Sequence, residues 1–412
     1  MTQLRFTQKG TKESLRARND VLVLQCVAAG GGRFARSDVI RSTGLPAATV
    51  SAIVADLIER RLVREAGREV QGVGKPRVLL ELDDAHHRFL GVHLGRDGIH
   101  TSRLTLTGHV EESASVAHLP GDDALPMLAE VVRRLIPGGD GTVAAVGVAV
   151  PGIVGDDGVI REAVNYGWRM LPLGLSLSEL CDGLPVHAVN DANAVALSEV
   201  ALSAEGAGAV VALWIGTGIG AGIVLDGRLY RGAEFRSGEI GHVDAGASLR
   251  CRCGLIGCLE TVAAQPSIRG DADDAAVERF LAGADDGEVR ALGERVARAA
   301  RELARLLSTL AGTLDVTEFV LGGPMASDRL GPALVRQVNE ALALRVMSGF
   351  APLSLRSSTL GRHSTVFGAA AHAIRQQLGV MITMSAGGIA VGGIEARSSA
   401  TASTKCAVAE TA

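Results

Sequence analysis

The sequence predicts an α/β chain in which a small winged helix-turn-helix unit precedes two α/β lobes with a cleft between them. Three observations carry this. The 412 residues exceed one ordinary domain, and 47% of them are apolar, enough for several large cores. The hydrophobic pattern changes near Arg88, from helical spacing to apolar runs and alternation. Beyond that point an order of about three strands, then mixed helices and strands, occurs twice, as two related lobes would give.

Charge divides the chain in the same place. Residues 1–80 hold 14 Lys and Arg against 7 Asp and Glu, whereas the remainder holds 27 against 38. A cationic end on an acidic body suits contact with a polyanion through that end alone. No run of 18 apolar residues is present, and Met1 to Gly10 is polar with no signal-peptide core. The expected location is therefore cytoplasmic, with no membrane partner.

In the head, Val21, Leu22, Leu24 and Val27 give helical spacing over 20–29, and Gly30-Gly31-Gly32 ends that helix. A second helix is expected over 34–42 with Val39 and Ile40 inward. Gly44-Leu45-Pro46 forms a turn, and a third helix over 47–60 buries Val50, Ile53, Val54, Leu57 and Ile58. Ala47, Ala48, Thr49, Ser51 and Ala52 are left outward in its first turns. Such a helix enters the DNA major groove by its N-terminal end. Strands at 62–63 and 77–82 flank the glycine-rich, basic tip Gln71-Gly72-Val73-Gly74-Lys75-Pro76-Arg77, which makes a wing. Arg36, Arg41, Lys75 and Arg77 are the expected phosphate contacts, with Thr49 and Ser51 toward bases. The expected partner is a double-stranded operator, and the head spans 1–82. A three-helix protein-binding module is the competing use of the same pattern.

In the body, strands are expected at 89–94, 99–106, 110–118, 143–150 and 185–189, with helices at 124–136 and 192–204. The second set has strands at 209–215, 221–225, 228–231, 318–321 and 353–357, with helices within 277–310 and at 330–344 and 365–378. This places a first lobe at 83–190, with helix 364–378 packing back on it, and a second at 191–363. Residues 380–412 become rich in Ala, Gly, Ser and Thr and are expected to form a flexible tail.

Three of the six cysteines crowd together. His242, Cys251, Cys253 and Cys258 have eight, one and four residues between successive members. Three thiolates and an imidazole complete a tetrahedral zinc site with no position for water, so a structural Zn2+ is expected. Gly254 and Gly257 permit the tight turns.

Ile215-Gly-Thr-Gly-Ile-Gly-Ala-Gly222, Asp226-Gly227, Gly238-Glu-Ile-Gly-His242 and Cys251-Arg-Cys-Gly-Leu-Ile-Gly-Cys-Leu-Glu260 together resemble the signature of the ROK family. That family comprises repressors and sugar kinases. The resemblance runs from about Asp20 to Leu378, and its winged head is similar to that of the repressor branch. It implies the two-lobed sugar-kinase fold of the actin/hexokinase type. It also implies a sugar cleft formed by Gly152, Asn190, Asp191, Glu239, His242 and Glu260, with Asp191 at the position of the kinases' general base. Carboxylates and an amide are bidentate partners for vicinal hydroxyls. Asp191 also stands where a helix N-cap is expected. Asn165 and Trp168 lie in a polar-aromatic loop within possible reach of the sugar, although a lone Trp is commonly core.

The resemblance departs from the kinases at one point. An Asp-x-Gly-Gly-Thr loop would hold phosphates and magnesium, but here the segment is His93-Leu94-Gly95-Arg96-Asp97. The second phosphate loop, Gly216-Thr217-Gly218, and the adenosine-side pair, Gly322-Gly323, remain. Phosphoryl transfer rests on positioning and charge neutralisation. The expectation is thus a sugar-responsive regulator without enzymatic activity, acting as a homodimer or homotetramer on carbohydrate genes. Its effector would be a small sugar or sugar phosphate. An active ATP-dependent sugar kinase bearing a DNA-binding head is the alternative, followed by a regulator governed by a protein partner.

Overall fold

The computed structural model describes residues 12–70, 76–96, 98–117, 124–136, 143–203, 208–345 and 351–384. The head contains α1 (Lys12–Gly30), β1 (Phe34–Ala35), α2 (Arg36–Thr43), α3 (Ala47–Glu59), β2 (Val63–Glu69) and β3 (Arg77–Leu82). The second helix starts two residues later than the sequence suggests. Phe34 and Ala35 instead pair with Leu80 and Leu79, adding a strand to the wing. The buried Asp38 carboxylate accepts the Ala35 N–H at 2.9 Å and so fixes the helix start. Val50, Ile53, Val54 and Leu57 of α3 are buried, as their spacing requires.

The first lobe contains β4 (Arg88–Leu94), β5 (Ile99–Thr105), β6 (Val110–Val116), α4 (Ala124–Leu135), β7 (Val143–Val150), β8 (Ile153–Val154), β9 (Ile160–Ala163), β10 (Trp168–Leu171), α5 (Leu173–Leu180) and β11 (Val186–Asn190). Its main sheet has the order β11-β7-β4-β5-β6. After α6 (Asp191–Leu202), the second lobe contains β12 (Ala209–Ile215), β13 (Ile219–Leu225), β14 (Arg228–Leu229), α7 (Glu260–Ala263), α8 (Gln265–Arg269), α9 (Asp274–Leu281) and α10 (Gly287–Leu314). It continues through β15 (Glu318–Gly322), α11 (Pro324–Ser327), α12 (Gly331–Ala343) and β16 (Ser354–Ser357) to α13 (Ser364–Leu378). Its sheet has the order β14-β13-β12-β15-β16. In both sheets the first three strands are antiparallel and the last two run parallel to the first. The two lobes are therefore one topology used twice. Residues 153–180, to which the sequence assigns no elements, supply α5 and a small sheet, β10-β9-β8. Strands of two to four residues carry too little alternation to be read.

Two helices join the sheets. α13 lies on the first sheet and against α6, which in turn covers β12 and β13. A methyl group at Gly147 would stand 1.8 Å from the Ala369 carbonyl oxygen, and one at Gly368 would stand 1.7 Å from that of Ala194. Backbones this close leave room only for glycine.

The head shares a core with the body. Val23, Leu24, Val54 and Leu80 belong to one buried cluster with Phe89, Leu104, Phe367 and Ile374. Val380, Ile382 and Met384 complete it, so the tail expected from residue 380 is corrected at its start. These alternating apolar side chains seal the seam between head and lobe, and the Met384 N–H donates to the Ala201 carbonyl at 2.7 Å. The rest of the expected tail, from 385, lies outside the described residues. Among the described residues, no helix is long and apolar enough to cross a membrane.

Gly368→Ala should force α6 and α13 apart at a cost of about 3 kcal/mol. A lower urea midpoint with an unchanged m-value would register it; a midpoint equal to that of the parent would contradict the crossing geometry.

Candidate functional site

Side chains from both lobes meet where the cleft is expected, the Glu239 charge acting on Asp191. β11 ends at Asn190, which caps α6 by accepting the Asn193 N–H at 3.1 Å and donates to the Gly152 carbonyl at 2.9 Å. The cap expected of Asp191 thus falls to its neighbour. Asp191 itself is buried and accepts the Ala192 N–H at 2.8 Å. Burial pushes its carboxyl up to about 7, and the nearby Glu239 charge adds to this. Gly152 has a φ of 102°, and a methyl there would stand 2.2 Å from the Glu162 carbonyl oxygen.

Glu239 enters from the second lobe, immediately before the single turn Ile240–His242. Desolvation raises its carboxyl above the ordinary range; His242 pulls it down and Glu260 pushes it up. The Glu239 charge thus acts on Asp191, and the Glu260 charge acts on Glu239, which links the three carboxyls in a row. Arg252, which sequence reasoning passed over, bonds both Glu260 Oε1 at 3.2 Å and the Thr217 carbonyl at 3.1 Å. Its place between two metal-ligand candidates, Cys251 and Cys253, was the available signal.

His242, Cys251, Cys253 and Cys258 present ligand atoms that all lie within 4.8 Å of one another and can hold a metal ion. Cys253 Sγ and Cys258 Sγ are 3.6 Å apart, far beyond a disulfide bond. His242 Nδ1 stands 3.8 Å from Cys251 Sγ, while its Nε2 stands 3.9 Å from Glu239 Oε2. The imidazole thus spans the metal candidate and the cleft. Burial, then the neighbouring thiols, push the Cys258 thiol up to about 12, so the donor set calls for a cation to ionise it.

On the side that the resemblance assigns to nucleotide, His93 is buried and stacks on His100 with ring centroids 5.9 Å apart. The Gly95 N–H donates to the Gly98 carbonyl at 2.9 Å, and its own carbonyl accepts from Tyr166 Oη at 3.1 Å. Arg96 is exposed; Asp97 lies outside the described residues. The Trp214 indole lies across two of the expected glycines. A methyl at Gly216 would stand 2.5 Å from this ring, and one at Gly323 would stand 2.9 Å from it. Gly218 abuts the Glu260 carboxylate, and Gly322 abuts Val195. Trp168 packs in the first lobe, stacked 4.9 Å from Tyr166, and Asn165 belongs to the single turn Val164–Tyr166.

In the head, Ala47, Ala48, Ser51 and Ala52 are exposed and Thr49 is half-buried. Arg41 is exposed beside Asp38, with which it pairs. Arg36 pairs with Glu65 at 3.2 Å. Arg77 bonds Asp38 at 3.0 Å and Glu69 at 2.6 Å, and so fastens the wing to α2. In this structure its guanidinium is engaged within the head. Lys75 lies outside the described residues. Arg68, exposed on β2, has no ion-pair partner among the described residues; a strand read as far as Glu69 would have shown it.

Comparison with known proteins gives a consistent result. A family model described as ROK family matches residues 89–376, and one described as IclR helix-turn-helix domain matches residues 21–67. A xylose repressor of Caldicellulosiruptor bescii is 32% identical over 63% of this chain and 67% of its own. A glucokinase of Halalkalibacterium halodurans is 30% identical over 68% of this chain and 93% of its own. The crystal structure of a ROK family transcriptional regulator, described as a homolog of the Escherichia coli MLC protein, superimposes with a TM-score of 0.69. It is 25% identical and covers 88% of this chain and 97% of its own.

The buried Asp191 carboxyl gives a pH signature. Its folded value lies above the ordinary 3.8, so the stability it permits is full at low pH and lost as pH rises through about 7. Asp191→Asn should therefore gain melting temperature relative to the parent between pH 5 and pH 8. A difference constant with pH would contradict the raised value.

Proposed function

The chain belongs to the ROK family, and on that premise we propose that it is a sugar-responsive transcriptional repressor. The observation that carries this is the union, in one chain, of an exposed recognition helix with a cleft where Asn190, Asp191, Glu239, His242 and Glu260 converge from both lobes. Ala47, Ala48, Thr49 and Ser51 would face base edges, with Arg41, Arg68 and Lys75 toward phosphates. Reading two half-sites requires at least a homodimer. Operator binding of this kind fits the cytoplasm.

We assign the metal as structural zinc. Thiolates about 2.3 Å from a tetrahedral zinc stand roughly 3.7 Å apart, and the 3.6 Å between Cys253 and Cys258 agrees with that. The three cysteines and His242 would fill its coordination. Such an ion would stabilise the thiolates and orient His242 toward Glu239.

Three features support a regulator without phosphoryl transfer. His93 replaces the phosphate-loop aspartate, Gly95 is tied down by Gly98 and Tyr166, and Trp214 covers the surfaces of Gly216 and Gly323 that the resemblance assigns to nucleotide. Asp191, its carboxyl pushed up to about 7 by burial, still suits hydrogen bonding to a sugar hydroxyl in either protonation state.

Operator affinity measured by fluorescence anisotropy, with and without sugar, tests this function. Glu239→Ala should lose the sugar response while its sugar-free affinity stays within about twofold, since a removed hydroxyl partner lowers ligand binding alone. A response equal to the parent's would contradict the cleft. ATP with glucose, xylose or N-acetylglucosamine should give no turnover; robust turnover would move the function to a sugar kinase.

A further inference from the structure

A cavity of about 510 Å³ opens beside the cleft, within the size range of small-molecule sites. Ile153, Arg161, Glu162 and Met170 line it from the first lobe, and Phe235 and Arg236 line it from the second. Its walls continue those of the cleft. Ile153 follows Gly152, whose carbonyl holds Asn190. Opposite, the Glu239 N–H donates to the Arg236 carbonyl at 3.3 Å, and the Arg236 charge favours the ionised Glu239 carboxyl.

The cavity has the marks of a built site. Phe235 and Met170, one from each lobe, hold φ values of 60° and 50°, a left-handed backbone that bulky residues rarely adopt. The Arg161 guanidinium stands 5.6 Å from the Phe235 ring centre, a contact that crosses from lobe to lobe. Charge in the lining is largely balanced rather than anion-seeking. Arg161 pairs with Asp157 at 2.7 Å, Arg169 pairs with Glu162 at 2.9 Å, and Glu234 adds a carboxylate beside Arg236. Planar, forked polar groups around an aromatic ring and two apolar side chains suit a neutral ring rich in hydroxyls. The forks can take vicinal hydroxyls, and the apolar surfaces can take its C–H face.

We propose that this cavity is a second sugar subsite and that the effector is a disaccharide, one ring in the cleft and the other between Met170 and Phe235. The inference rests on the reading of the cleft as a sugar site. A second ring here touches both lobes, so its binding depends on how they are arranged and selects one arrangement.

Calorimetric titration of the full-length, zinc-loaded protein with matched pairs tests this: xylose and xylobiose, glucose and cellobiose or maltose, N-acetylglucosamine and chitobiose. In at least one series the disaccharide should bind about tenfold or more tightly than its monosaccharide. Phe235→Gly removes the ring and suits the local backbone, so it should still unfold cooperatively and keep monosaccharide affinity while losing that preference. Monosaccharide binding with no tighter disaccharide overturns the subsite and leaves the cleft standing. A preference that survives Phe235→Gly overturns its location. No binding of any sugar overturns the cleft reading, and the subsite with it.

Discussion

The close crossing of α6 and α13 is the constraint on which the other features depend. Two sheets of the same topology present faces that must be covered, and this helix pair covers both at once. Gly147, Gly368 and Gly222 let backbone meet backbone there, the last through the Ala192 carbonyl. Every residue of α6 from Asp191 to Ala201 is buried, so its surroundings fix the helix as a rigid strut. Its twelve residues span about 18 Å at 1.5 Å per residue. One end carries Asn190 and Asp191 into the cleft. The other end, at Ala201, is bonded to Met384, which lies in the cluster shared with the head. Cleft and head are thus two ends of one packed element, and interfaces of this kind shift between discrete arrangements rather than deforming smoothly.

A second shared point is His242. Burial first, and then the nearby Glu239 charge, make Asp191 hold its proton to about pH 7. Glu239 and Glu260 are steadied by His242 and Arg252, both from the segment that carries the clustered thiols. A metal on those thiols would therefore act on the cleft without touching its ligand, by setting how the imidazole and guanidinium are held.

Much of this was legible in the sequence wherever a strong local pattern coincides with a complete element. The apolar runs at Val143–Val150 and Ala209–Ile215 are strands with those bounds. The cysteine spacing brings four ligand candidates together, and the glycine motifs mark the tight turns around Glu239. What was hidden depends on partners far away in the chain. Phe34 and Ala35 look helical until Leu79 and Leu80 pair with them. Val380 to Met384 resembles the start of a tail because its alternation is short, and only the seam between head and lobe gives it a place. Arg77 sits in a basic tip, yet Asp38, 39 residues earlier, claims its charge. The Trp214 ring reaches Gly323 only because β12 and β15 are neighbours.

Hydrogen exchange of the zinc-loaded protein, with and without a sugar that raises its melting temperature, tests most directly whether the cleft and the DNA-binding head are joined through this helix pair. Bound sugar is expected to change protection in α6, α13, Val380 to Met384 and α1 together, at sugar concentrations that also change operator affinity. Altered protection confined to the cleft residues, with α1 and α13 unchanged while operator affinity shifts, would contradict that coupling.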